Sequence, residues 1–303
     1  MQSLSSFDAH PVLVHPREYR HIEVSPLTGV LGAEITGVDL RQPLPSEAWQ
    51  EIRQPLRAHQ ATMFPNQPPP HGQHLDFSRH FGEVIRLPQL HNVDGHPEVQ
   101  IIRRLATDTG RVVGENWHAD STYLDEPPGA VVMRAMDVPP YGGDTGFLSM
   151  YAAYEALSPA YKAMLEPLNA VHSATRIFGS PSLAQKRKFN SAGARTDLDV
   201  EAGDREVAHP IVCRHAVSGR KFLYVNKTYT QRIEGFTNEE SAPIINYLHE
   251  HCARFDFTCR VRWHNDQVLI WDNRCTMHRA ITDYTGRARF LTRVTIAGPR
   301  PAR

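Results

Sequence analysis

The residues of this 303-residue chain best suited to chemistry are His118 and Asp120, in the run Asn116-Trp117-His118-Ala119-Asp120. An imidazole and a carboxylate two positions apart form the near half of a three-ligand metal site. On a strand, residues i and i+2 point to one face, so both donors can reach one ion from rigid backbone. The third ligand must then come from a distant part of the chain. Taken alone the pattern has little specificity, because the chain holds 17 histidines and 33 acidic residues. The same spacing recurs behind a Trp at His264-Asn265-Asp266, and H-x-E variants stand at His21-Ile22-Glu23 and His96-Pro97-Glu98. A solvated turn is the plain alternative for each, and Asn-Asp between two patterned strands reads as hairpin chemistry at 264–266.

His278, on a late strand spanning about 275–280, offers a third ligand, since early and late strands of a jelly roll lie side by side. Two nitrogens and one carboxylate on one side of an ion suit non-haem Fe(II), with positions left open; zinc is more often given a closed four-ligand cage. Arg289 and Arg293 lie four apart on the strand candidate 289–293 and so share a face, embedded in apolar residues where an unpaired guanidinium is expensive. They call for anions, and the planar fork of Arg matches a carboxylate bidentately. The competing reading pairs both with internal carboxylates.

The elements that must position these groups are mostly short strands between Gly and Pro turns. A hairpin is expected within 22–40, and strands at 61–64, 99–103, 130–136, 145–150, 170–174, 207–215, 221–226, 255–263, 267–272 and 290–296. Helices are expected from Ser46, with Trp49, Ile52 and Leu56 on one stripe, at 73–81, at 151–157, and from a Ser158-Pro159 start to about 165. A last helix runs through 244–252 on Ile244, Leu248 and Cys252, with Thr237 and Ser241 competing as N-cap; His249 and His251 read as solvated. The stretch 65–70 reads as a stiff surface loop, 84–90 as a core edge or pocket wall, and 178–206 as a lid or disordered segment. One domain over 1–303, a β core decorated by helices, is the economical arrangement.

Formal net charge is zero and the pI about 7.3, so the electrostatic footprint of a nucleic-acid binder is missing. Residues 1–20 carry no apolar leader core, and no run approaches bilayer-spanning length. Cys213, Cys252, Cys259 and Cys275 show no C-x-x-C spacing or disulfide density. A soluble, cytoplasmic protein without nucleic-acid or membrane partners is expected, with a homo-oligomer left open.

The series Trp117-His118-Ala119-Asp120, Gly142-Gly143-Asp144-Thr145, Trp271-Asp272-Asn273-Arg274 through His278, and Arg289 with Arg293 resembles the taurine dioxygenase and phenoxyacetate dioxygenase family. These are Fe(II)- and 2-oxoglutarate-dependent oxygenases on a double-stranded β-helix, a jelly roll of the cupin type. The resemblance implies that His118, Asp120 and His278 ligate iron, and that Arg289 and the Thr145 hydroxyl hold the distal carboxylate of 2-oxoglutarate. It implies too that Arg293 faces the anionic group of a small substrate, with Asn116 near the metal or in a plain turn. The implied reaction uses O2, converts 2-oxoglutarate to succinate and CO2, and hydroxylates a substrate C–H; beside an ether oxygen the product collapses and the bond to the heteroatom breaks.

Taurine-specific members grip a zwitterion with a His, a Tyr and an Asn where this chain aligns Leu87, Leu90 and Gly114. An apolar body with one anionic head fits Leu87, Leu90, Gly114, Ser121, Phe178 and Tyr229 around Arg293 better. The runs 29–40, 131–136, 172–179 and 254–263 also resemble the phenoxypropionate-cleaving branch. Aryloxyalkanoate cleavage to a phenol and a 2-oxo acid is therefore expected. An alkyl sulfate or alkylsulfonate dioxygenase is the alternative, and a non-catalytic cupin-like metal binder the competitor from another class.

Overall fold

The strands in the middle of the fold are apolar on both faces, and this dictates its layers. In a computed structural model that describes residues 19–87, 90–109, 112, 114–180 and 199–303, Val131 and Met133 face one way along their strand and Val132 the other. Leu269 and Trp271 alternate with Val268 and Ile270 in the same manner. Strands buried on both sides must be covered on both sides.

The strands in chain order are β1 (Glu23–Pro26), β2 (Ala33–Thr36), β3 (Ala61–Phe64), β4 (Val84–Ile85), β5 (Asn92–Val93), β6 (His96–Arg104), β7 (Ala130–Asp137) and β8 (Thr145–Ser149). After them come β9 (Asn169–His172), β10 (Val207–Pro210), β11 (Val212–Arg214), β12 (Lys221–Leu223), β13 (Thr230–Ile233), β14 (Thr258–Val261), β15 (Val268–Asp272), β16 (Thr276–Ala280) and β17 (Arg289–Ile296). The large sheet has the order β1-β2-β3-β15-β7-β17-β6-β5, with β4 added on β17. A second sheet, β14-β8-β16, packs across it, and smaller sheets β10-β9-β13 and β11-β12 extend the structure. Met63, Val131, Met133, Phe147, Val261, Trp263, Trp271 and Leu291 fill the space between the two main sheets. The fold is the expected double-stranded β-helix: β15, β7 and β17, and likewise β14, β8 and β16, are neighbours from distant parts of the chain, so an early loop can meet a late strand.

Helices close both outer faces. The helix Ser46–His59 lays Trp49, Ile52 and Leu56 on the large sheet as the stripe predicts, and admits Pro55 near its end. Beyond the second sheet, Tyr151, Tyr154, Leu248 and Cys252 pack with Leu148 and Met277. Thr237 wins the competition for N-cap: its hydroxyl accepts from Glu240 N, and the Glu240 carboxylate accepts from Thr237 N. Ser241 is instead buried, its hydroxyl accepting from Ile233 N at 3.0 Å.

Several expectations need correction. Residues 264–266 form a turn, but β14 and β15 belong to different sheets, so the turn passes the chain between sheets and closes no hairpin. His251 is buried with Nε2 2.7 Å from Ala153 O, because it sits three residues after Leu248 on the core-facing side; His249 is half-buried. The buried stripe of that helix runs through Ile245, Leu248 and Cys252, with Ile244 at its margin. The proline loop at 65–70 is tied inward by Gln67, whose side chain bonds Leu40 N and Val38 O, and by Arg134 on Pro69 O. Within 178–206, helices Thr175–Phe178 and Val200–Asp204 flank residues 181–198, which lie outside the described residues.

His74 and His172 are fully buried, and desolvation pushes the pKa of each down to about 3. Both stay neutral when folded but titrate near 6.5 when unfolded, so their contribution is intact above pH 6.5 and is lost as pH falls toward 3. Denaturant unfolding at pH 5 is expected to give a free energy lower than at pH 7 by up to about 2 kcal/mol per histidine. A flat profile over that range would contradict their burial as neutral groups.

Candidate active site

His118 reaches His278 through a single antiparallel bridge, with His118 N donating to His278 O at 3.1 Å and His278 N to His118 O at 2.8 Å. This corrects the expectation that one strand presents both His118 and Asp120. His118 is an isolated bridge residue, and Asp120 stands in the turn that follows, just before Ser121 with φ +52°. What positions Asp120 is Asn273. Its carboxamide accepts from Asp120 N at 2.8 Å and donates to Asp120 O at 3.1 Å and to Pro128 O at 2.9 Å. Sequence reasoning gave Asn273 no role, although it stands in the Trp271-Asp272-Asn273-Arg274 run.

The bridge brings the imidazole ring centroids to 4.2 Å from each other. Asp120 Oδ1 lies 3.6 Å from His118 Nε2, and Oδ2 lies 3.9 Å from His278 Nε2. Two donors of one ion stand at most about 4.4 Å apart when each bond is about 2.2 Å, so one cation can reach all three groups. His118 Nδ1 lies 2.8 Å from Asn116 O, which makes that nitrogen the protonated one and leaves the Nε2 lone pair facing Asp120. Asn116 thus acts through its backbone carbonyl. Gly114, with φ +80°, passes so close to His118 that a Cβ there would lie 3.1 Å from its Cε1.

Burial would raise the Asp120 pKa, but Arg293 together with His278 and His118 holds it down at about 2. His278 is pushed down to about 3 by burial, with His118 adding to the shift. The group is therefore an ionised carboxylate beside a neutral imidazole, the protonation that metal binding requires. A second grouping, His215 with Asp272 and Cys275, is chemically closed. Arg274 clamps both Asp272 oxygens (Nε 2.8 Å, NH2 2.6 Å), and His215 Nε2 adds a third contact at 3.0 Å. His215 Nδ1 accepts from Val217 N and Ser218 N, so Nε2 bears the proton. That cluster pins the turn carrying Asn273.

Arg289 and Arg293 both leave β17 toward the space between the main sheets, and both are buried. Arg289 Nε donates to Gly143 O at 2.9 Å, and NH2 lies 3.5 Å from Thr145 Oγ1. No carboxylate of the described residues is within ion-pair distance of it, and burial lowers its pKa to about 10. The Gly142-Gly143 turn is held from outside: Gly143 N donates to Asp283 Oδ1 at 2.9 Å, and Arg260 bridges Asp144 and Asp283. Gly143 needs φ +70°, and a Cβ on it would lie 3.1 Å from Arg289 Cδ. Arg293 instead donates to Asp120 Oδ2 at 3.0 Å and to Thr295 Oγ1 at 3.1 Å.

The candidate substrate residues divide. Tyr229 and Phe178 pack on Tyr123, with ring centroids 5.2 and 5.6 Å away. Burial raises the Tyr229 hydroxyl well above its ordinary pKa, with Tyr123 and the charge of Asp120 adding to the shift. Ser121 is buried directly after Asp120. Leu87 is linked to Arg293 through Gln100, a residue that sequence reasoning passed over. Gln100 is the cross-strand partner of Arg293, and its amide donates to Leu87 O at 2.6 Å. Leu90 is buried, with no contact to the triad among the described residues.

A jelly roll whose sheets enclose two imidazoles and a carboxylate, beside a buried arginine with no carboxylate partner among the described residues, has the donor set that suits a non-haem iron oxygenase. The chain belongs to the taurine catabolism dioxygenase TauD, TfdA family, whose model matches residues 23–295, and is a 2-oxoglutarate-dependent dioxygenase of that family. It is 32% identical over 289 residues to an alkylsulfatase of Acinetobacter baylyi, covering 92% of this chain and 86% of the relative. It is 30% identical over 287 residues to an (S)-phenoxypropionate/alpha-ketoglutarate-dioxygenase of Sphingobium herbicidovorans, covering 91% and 95%. A taurine dioxygenase structure from Burkholderia xenovorans superposes with a TM-score of 0.78 at 34% identity, covering 93% of each chain. No described helix is long and apolar enough to cross a membrane.

Replacing Asn273 by Ala frees the Asp120 backbone while leaving all three donor side chains in place. Calorimetric titration with Mn(II) is expected to show affinity lowered about 10- to 100-fold. Wild-type affinity would show that the clamp does not position Asp120.

Proposed function

We propose that His118, Asp120 and His278 hold Fe(II), and that Arg289 and Thr145 bind the distal carboxylate of 2-oxoglutarate. On this reading Arg293 binds the anionic head of a small substrate whose oxidised carbon bears a heteroatom, and the substrate is an aryloxyalkanoate. The observation that carries the reading is the contrast between the arginines: Arg293 rests on Asp120, whereas Arg289 is buried beside a hydroxyl with no carboxylate partner among the described residues. Bound at the triad, iron supplies the redox chemistry by which O2 and 2-oxoglutarate become succinate, CO2 and one oxygen atom on the substrate carbon.

The chain's own residues do the positioning. Asn273 and the His118–His278 bridge fix the donors, and Asn116 O keeps His118 Nε2 free of its proton. With Asp120 engaged by a divalent ion, Arg293 would lose its carboxylate partner and could offer its terminal nitrogens to the substrate's anionic head. Tyr123, Phe178 and Tyr229 give an aromatic wall suited to an aryl body, with Ser121 and Gly114 at the metal side and Leu87, joined through Gln100, on the Arg293 side. Hydroxylation beside the ether oxygen gives a hemiketal that releases a phenol and a 2-oxo acid.

The alkylsulfatase relative favours a second reading, an alkyl sulfate with its sulfate on Arg293, oxidised to an aldehyde with release of sulfate. Incubation of the iron-loaded protein with both substrate classes separates the two: phenol release coupled to succinate supports the first, and aldehyde with sulfate the second. No substrate-dependent succinate from either class would overturn both.

The two arginines are also expected to separate by kinetics. Arg289→Ala should raise the KM for 2-oxoglutarate about 10- to 100-fold, as befits loss of a charged hydrogen bond, and Arg293→Ala should do the same for the substrate. Equal effects of both variants on both KM values would contradict the assignment.

A further inference from the structure

Trp263 lies two residues beyond Val261, whose register partner across β14 and β8 is Thr145. Its indole is buried between the main sheets, and Nε1 donates to Thr145 Oγ1 at 2.9 Å. Such a bond is not automatic in this core, because the indole N–H of Trp271 has no partner among the described residues. A threonine hydroxyl has one proton and two lone pairs, and an indole N–H can only donate. Thr145 Oγ1 therefore already accepts from Trp263, with Arg289 NH2 a longer second donor at 3.5 Å. The nearby Gly143 carbonyl is engaged by Arg289 Nε. No acceptor for the Thr145 proton is found among the described residues, so the hydroxyl and the guanidinium together present only donors to whatever lies between them.

We infer that Trp263 is a positioning residue for the cosubstrate: by occupying the Thr145 lone pair it turns the hydroxyl proton toward the distal carboxylate of a 2-oxo dicarboxylate. The inference rests on the reading that Thr145 and Arg289 bind that carboxylate. It adds a residue that touches no ligand, and explains why a neutral hydroxyl, which could otherwise rotate to offer a repulsive lone pair, acts as a fixed donor to an anion. A 2-oxo acid without the distal carboxylate keeps the same metal-binding head and does not reach the hydroxyl, so it reports on packing alone.

Trp263→Phe keeps the ring and removes the N–H. Calorimetric titration of Mn(II)-loaded protein without turnover is expected to give a Kd for 2-oxoglutarate raised about five- to tenfold, the worth of one hydrogen bond. The Kd for 2-oxopentanoate should stay unchanged. In a Thr145→Val background, where 2-oxoglutarate binding is already weakened, Trp263→Phe should have no further effect. Equal weakening for both 2-oxo acids, a Trp263→Phe effect that persists in Thr145→Val, or no effect at all would overturn the inference. Unchanged 2-oxoglutarate binding by Thr145→Val alone would instead sink the underlying assignment of Thr145, and the inference with it. Should Trp263→Phe not fold, indole 15N–1H spectra keep the test: Thr145→Val, and separately 2-oxoglutarate added to Zn(II)-loaded wild type, are each expected to move the same indole signal. A signal that moves in neither case counts against Trp263.

Discussion

Much of the structure follows from one buried charge. Asp120 is ionised between two imidazoles, under protein on every side, and a lone carboxylate in such a place costs several kcal/mol unless a cation stands beside it. Arg293 serves as that cation in the protein alone, at 3.0 Å from Oδ2. On the proposed assignment a divalent ion would take over that role, the guanidinium would then be free for a substrate anion, and the two sites would be coupled through a single oxygen.

The donors meet because the jelly roll brings distant segments to one point and then fastens them there. The His118–His278 bridge sets the two imidazoles, Asn273 holds the Asp120 backbone from the opposite side, and Asp272 with Arg274 and His215 pins the turn that carries Asn273. Arg289 is placed by a different device, the Gly142-Gly143 turn and its ties to Asp283 and Arg260. Two independent supports present the candidate metal donors and the Arg289 guanidinium, without a carboxylate partner among the described residues, to the same space between the sheets.

Much of this could be read from residue order, and the rest could not for definite physical reasons. Short apolar runs between Gly and Pro turns located β7, β15 and β17, and the shared face of Arg289 and Arg293 survives in the fold. Such runs cannot say which strands pair, so the turn at 264–266 was expected to close a hairpin where it joins two sheets. Nor can spacing show that His118 and Asp120 are aligned by a bridge and an amide clamp, since those contacts come from residues far along the chain. His251 was legible in principle: three positions after Leu248 it falls on the buried side, and only its polarity argued otherwise. The Asp120–Arg293 pair joins residues 173 positions apart, which no local pattern encodes.

The most direct test of the exchange at Asp120 is an anaerobic crystal structure of the protein with Fe(II) and 2-oxoglutarate. The expected result is one metal held by His118 Nε2, Asp120 and His278 Nε2, the distal carboxylate of 2-oxoglutarate on Arg289 and Thr145, and Arg293 turned away from Asp120 Oδ2. Metal held instead at His215, Asp272 and Cys275, or Arg293 still bonded to Asp120 beside a bound ion, would contradict it.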